Sequence, residues 1–315
     1  MSPRIKSDSP PLPIPPKKLR RFRPRAWLSV FVLIALAVGS RFLWNHTQTQ
    51  LARDPHYSLT LEKIHITPQP PWIRSDIKAQ VFRDANLVGT LSVLDDWEVL
   101  SGQIKQAFEF HPWVASVTRI TRQLPSSLQI DLVYRKPIAA VESSDPNGVM
   151  FLPIDERAIR LPEGDLSEAE RRYLPRISGI TGRPLVGDRW DDPRVVGGTR
   201  LAAQLSDVWQ KLHLVEIVAN LQSSTRDARQ LYSFEIVTTG STRIVWGVTP
   251  GEEPATGESP FGLKRQRLLD YAAQHGKLES IEGPAVLDVR SDLVVTPRTA
   301  KHEKPVDKEA ATQTK

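Results

Sequence analysis

The residue types that could do chemistry are present in this chain but scattered. Cysteine is absent, which removes thiolate nucleophiles, disulfide frameworks and Cys-based zinc sites. The seven histidines (His46, His56, His65, His111, His213, His275 and His302) include no pair at metal-ligand spacing, so each reads as a solvated or packed imidazole. The run Gly187 to Pro193 gathers three carboxylates, Asp188, Asp191 and Asp192, but lacks the glycine and distal glutamate of an EF-hand loop. Asp192 before Pro193 reads more simply as a helix N-cap. The Gly-x-Ser-x-Gly, His-Glu-x-x-His, Walker A and Gly-x-Gly-x-x-Gly patterns are all missing. No catalytic residue, metal ligand or cofactor site is therefore expected, and the chain is read as a non-enzyme whose function resides in surfaces.

The strongest structural signal lies between Phe110 and Val141. Alternating runs at Val114–Thr121 and Leu128–Tyr134 flank a Pro125-Ser126-Ser127 turn and predict a β-hairpin. Leu128, Ile130, Leu132 and Tyr134 share one face, opposite Gln129, Asp131 and Arg135. Their cover is a predicted helix from Trp97 to Phe110, with Trp97, Leu100, Ile104 and Phe108 at helical spacing after an Asp96 N-cap. His111-Pro112 ends it. Upstream, Leu59, Leu61, Ile64 and Ile66 predict a strand with a bulge, and Ser75 is placed as the cap of a short helix carrying Ile77 and Val81.

The net charge of +6 suggests a polyanion partner until it is apportioned. Residues 1–25 carry eight Lys/Arg against Asp8 alone, a local charge of +7, which leaves −1 for the rest. The body of the protein thus has no basic excess, and no nucleic acid or small-molecule substrate is expected. Residues 1–25 read as a disordered basic cytoplasmic tail. Residues 26–44 read as a transmembrane helix, about 28 Å long against a hydrocarbon core of about 30 Å. Trp27 and Trp44 bracket it as interfacial anchors, and Arg41 snorkels. The upstream cations place the N-terminus in the cytoplasm and the bulk outside. A cleaved signal peptide is the competing reading, because Ala35-Leu36-Ala37 looks like a cleavage site.

The fold class expected is α+β: one N-terminal membrane span, a β-α-α-β-β unit over 57–141, a mostly antiparallel β-rich domain over 142–295 with helices on one side, and a disordered tail over 296–315. Within the second domain the pattern predicts strands at Leu214–Ala219, Tyr232–Thr238 and Thr242–Gly247, with Gly240-Ser241 turning between the last two. It also predicts a helix from Leu263 to His275 before a last strand, Ala285–Val289.

The first unit resembles a POTRA domain, and its position after one membrane span is similar to the FtsQ/DivIB family of bacterial cell-division proteins. The resemblance rests on His111-Pro112-Trp113-Val114, on Leu124-Pro125 with Leu128 and Ile130, and on Arg135-Lys136-Pro137-Ile138-Ala139. Together these match the family's order of Pro-Trp-Val, basic strand, Pro-x-x-Leu-x-Ile and Pro-x-Ala. Leu174 to Gly179, the Lys264 neighbourhood and Leu287 to Arg290 extend the likeness, with Ser291 where relatives often carry an aromatic. Structural roles are implied for Trp113, Leu124, Pro125, Leu128, Ile130, Pro137 and Ala139.

What the resemblance implies is a bitopic scaffold of the divisome, in the bacterial cytoplasmic (inner) membrane at the division septum. Its partners would be FtsB/FtsL-like membrane-anchored division proteins, through which it would contribute to control of septal peptidoglycan synthesis. Binding would occur by β-augmentation, at an open edge formed by Val286, Leu287, Asp288, Val289, Arg290 and Ser291. The alternatives are a POTRA-containing component of secretion or outer-membrane assembly, and a secreted binding module released by signal cleavage.

Overall fold

The computed structural model describes residues 31–42, 59–87, 91–92, 95–123, 126–145, 148–222 and 231–298. The protein is α+β, with seven α-helices and eleven strands among these residues. Helix α1 occupies 31–42 with every side chain exposed, and Arg41 lies within it. Among the described residues no helix is long and apolar enough to cross a membrane. The expected span over 26–44 runs past the described residues at both ends, and Trp27, Trp44, Leu124 and Pro125 lie outside them, as do 1–25 and 299–315.

The first unit contains β1 (Ile64–Ile66), α2 (Ile77–Asp84), α3 (Trp97–Glu109), β2 (Val114–Gln123) and β3 (Ser127–Tyr134). Its three strands lie in the order β1-β3-β2, with β1 parallel to β3 and β2 antiparallel to it. Helix α3 forms because Asp96 accepts from the backbone N–H groups of Glu98 and Val99, satisfying two of the donors that a helix start leaves free. Leu100, Ile104 and Phe108 recur on its buried face. Each contributes about 1.5–3 kcal/mol as an upper estimate. Phe108 meets Phe82 of α2 edge-on at 6.2 Å. Leu128, Ile130 and Leu132 of β3 close the core from the sheet side, with Trp113 fully buried at the seam.

Two local expectations change. Leu61–Lys63 is a 3-10 turn rather than strand, so the slip in apolar phase marks a tight turn in which the Lys63 N–H reaches the Thr60 carbonyl at 3.0 Å. The cap of α2 is Asp76, not Ser75. Ser75 instead donates its hydroxyl and its N–H to Asp165.

The second sheet has eight strands in the order β11-β10-β9-β8-β7-β6-β4-β5. These are β4 (Ala139–Asp145), β5 (Gly148–Ile154), β6 (Arg176–Ser178), β7 (Leu214–Gln222), β8 (Leu231–Thr238), β9 (Arg243–Val248), β10 (Val286–Asp288) and β11 (Val294–Thr296). Four pairings are antiparallel and three parallel. The sheet is therefore mixed, because segments carrying α4 (Glu168–Tyr173), α5 (Pro193–Gln204), α6 (Glu253–Thr256) and α7 (Phe261–His275) intervene between strands and allow parallel crossovers. Asp192 does cap α5, with Pro193 in its first turn.

The boundary between the units also moves. Ala139 and Val141 belong to the larger core, since β4 begins at Ala139, so the first unit ends before residue 139 and Pro137 lies in the connection. Conversely, Leu161 and Leu166 from the second unit pack into the first unit's core. Between them, Asp165 accepts from the N–H groups of Arg74 (3.0 Å) and Ser75 (2.6 Å), the Ser75 hydroxyl (3.0 Å) and the Trp113 indole (2.5 Å). Arg135, at the end of the first unit, pairs with the buried Asp155 of the second at 2.7 Å.

Candidate partner-binding edge

The C-terminal end of the large sheet is built on β9. The turn before it needs glycine at 240, where a Cβ would lie 2.5 Å from the Ser280 carbonyl oxygen. Gly247 is also required: its φ is +92°, and a Cβ would fall 2.0 Å from a Glu258 carboxylate oxygen. That carboxylate accepts from Lys264 Nζ at 2.6 Å and from the Val248 N–H at 3.1 Å. The Lys264 side chain is completely buried and lies 5.8 Å from the Trp246 ring. On α7 it shares the inner face with Leu268 and Tyr271.

Helix α7 carries the chain back so that β10 runs parallel to β9. Leu287 and Val289 are fully buried, and the Val289 N–H reaches the Val245 carbonyl at 3.2 Å. The chain then turns, and β11 pairs antiparallel with β10, Leu287 opposite Val295. This corrects the expected open edge. Val286–Asp288 is flanked on both sides, and the strand at the end of the sheet is Val294–Thr296, in and next to the stretch expected to be tail.

The turn between β10 and β11 is pinned from several directions. Arg290 donates to both Asp288 oxygens, at 2.6 Å from Nη2 and 3.0 Å from Nε, and its own N–H also reaches Asp288. Burial pushes the Asp288 carboxyl up, but the Arg290 bonds and the Arg290 and Lys264 charges outweigh it and hold the group below its ordinary value. The bond to Asp288 in turn raises Arg290. Ser259 donates its N–H to the Arg290 carbonyl at 2.7 Å and its hydroxyl to the Ser291 carbonyl. Arg267 holds the Val289 carbonyl and the Ser259 hydroxyl.

Beyond this support β11 itself is exposed, with Val294 at 57% and Val295 at 42%. Beside it runs an open groove of about 770 Å³ lined by Tyr271, His275, Ile281, Val295, Pro297 and Arg298. An exposed end strand with apolar side chains and a groove alongside is suited to accept an extended backbone.

No protein-family model matches the chain, and no curated protein matches it.

The remaining sequence-predicted residues have structural placements. Trp113, Leu128 and Ile130 are fully buried in the first core and Ala139 in the second. Asp192, forked by Arg194, has its carboxyl held low chiefly by that bond, while Asp191 pairs with Arg189 at 3.5 Å. Among the described residues no three His, Asp or Glu side chains converge as metal ligands. Sequence reading missed Glu258, Ser259, Arg267 and β11. The available clue was Lys264, which stands at i, i+4, i+7 spacing with Leu268 and Tyr271 and so had to bring a buried acid with it.

Proposed function

We propose that this chain is a non-enzymatic, membrane-anchored scaffold of the bacterial division machinery, related to the FtsQ/DivIB family. It binds small membrane-anchored division proteins outside the cytoplasm and so contributes to control of septal peptidoglycan synthesis. One observation carries the binding part of this reading. The eight-stranded sheet ends in a short, exposed apolar strand, β11, set on a firmly pinned base. Backbone hydrogen bonds from a partner strand added beside Val294–Thr296 supply affinity, and the groove next to Val295 selects its side chains. The β-α-α-β-β order of the first unit supports the POTRA likeness drawn from His111-Pro112-Trp113.

Photo-crosslinking in dividing cells tests the reading. A photo-reactive side chain at Val295 captures a short membrane protein, whereas one at the buried Leu287 does not. Failure to capture at Val294 or Val295, together with uniform membrane distribution and no division defect on depletion, refutes it.

A further inference from the structure

We propose that His111, Trp113 and Asp165 form an acid-released latch that holds the first unit against the second. His111 follows α3 directly. Its Nδ1 lies 3.3 Å from the backbone nitrogen of Trp113, and its Nε2 lies 3.0 Å from Gln80 Oε1. A backbone N–H can only donate, so Nδ1 must be the acceptor and the ring carries its single proton on Nε2. A second proton would sit on Nδ1 and point at the Trp113 N–H, opposing two donors.

The same residue carries the bond between units. The Trp113 indole N–H donates to Asp165 at 2.5 Å, and Asp165 also gathers the N–H groups of Arg74 and Ser75 and the Ser75 hydroxyl. Pro112, between the imidazole and the indole, lies against Gly187 of the second unit, where a Cβ would stand 3.5 Å from the proline ring. Displacing the Trp113 backbone therefore withdraws the indole from Asp165 and slides Pro112 along the facing loop.

The charged groups acting on the imidazole are Asp84 at the end of α2 and Asp165 from the second unit. Both favour the cation, but burial outweighs them and His111 is held below its ordinary 6.5. A base whose folded value is depressed contributes stability that is complete above 6.5 and is lost as pH falls through the folded value. The latch is thus closed at neutral pH and released in mild acid. It does not depend on the partner-binding reading.

The test uses the full-length chain, which has no native cysteine to interfere. Spin labels at the exposed positions of Gln103→Cys and Lys211→Cys report the distance between units. The expected result is one narrow distance distribution at pH 8 that widens at least two-fold at pH 5 and recovers on neutralisation. His111→Asn keeps an acceptor for the Trp113 N–H but takes up no proton, so it stays narrow at both values, and Asp165→Asn is wide at both. An unchanged wild-type distribution, a His111→Asn chain that widens like wild type, or loss of the far-UV helix signal at pH 5 overturns the latch. Should His111→Asn fail to fold, imidazole NMR of the wild-type chain decides, since a His111 midpoint above 6.5 is equally fatal.

Discussion

At the joint between the units, Asp165 accepts four hydrogen bonds from donors at least 52 residues away in sequence. At the far edge of the large sheet, Asp288 turns back on its near neighbour and accepts from Arg290, two residues on. The first arrangement exists only when both units are folded and docked. The second is local, and shapes a turn whose outer strand stays exposed. The difference separates what must be rigid from what is left accessible: long-range bonds fix the relation of the units, and short-range bonds present an unfinished edge.

The largest effects should come from breaking the joint's core. Trp113→Ala empties a fully buried site and should lower stability by about 3–5 kcal/mol, read as a shift in the urea midpoint; a loss below about 1 kcal/mol would mean that the indole is not central to the seam. Under the edge, Lys264→Ala leaves Glu258 buried without its cation and should cost about 3–5 kcal/mol. The double variant Lys264→Met/Glu258→Gln should recover at least half of that loss, separating the pair's charge from its packing.

Asp165→Asn should come next, at about 1–3 kcal/mol, because an amide replaces one acceptor oxygen with a donor among four donors. Val295→Lys should lie within about 0.5 kcal/mol of wild type in urea unfolding, as the side chain is exposed, while abolishing crosslinking at Val294. Loss of stability without loss of capture would invert the contrast between joint and edge. The smallest effect belongs to Asp288. Its carboxyl is held low, so its contribution is present above the ordinary 3.8 and is lost as pH falls below it. Asp288→Asn should flatten that acid limb in a pH series of melts and change stability at pH 7 by no more than about 1 kcal/mol.

The hairpin was legible because Leu128, Ile130 and Leu132 alternate strictly and all three are buried. Helix α3 was legible because a capping aspartate precedes three residues that repeat on one face. The edge was misplaced for a physical reason. Val294–Thr296 is three exposed residues between Leu293 and Pro297, too short for periodicity to register, and a strand that buries little leaves no apolar pattern. The boundary was misplaced because Pro137-Ile138-Ala139 continues the apolar character of the hairpin, although its hydrogen bonds go to the other sheet: the Ile138 N–H reaches Ile154. Asp165 gave no sign at all, since a lone acid in a Glu-Gly-Asp turn is ordinary until Trp113 and Ser75 arrive from elsewhere.

The strand order of the large sheet sets a length. The chain passes from the first unit into β4, six strand spacings from β11, which at about 4.8 Å each separates them by about 29 Å. Right-handed sheet twist of about 20–25° per strand accumulates over the same interval to well over a right angle. The sheet is therefore a ruler and a swivel of fixed setting: whatever attaches at β11 is held at a defined reach and a defined turn from the segment leading back to the N-terminus, and inserting or deleting one interior strand would change both at once.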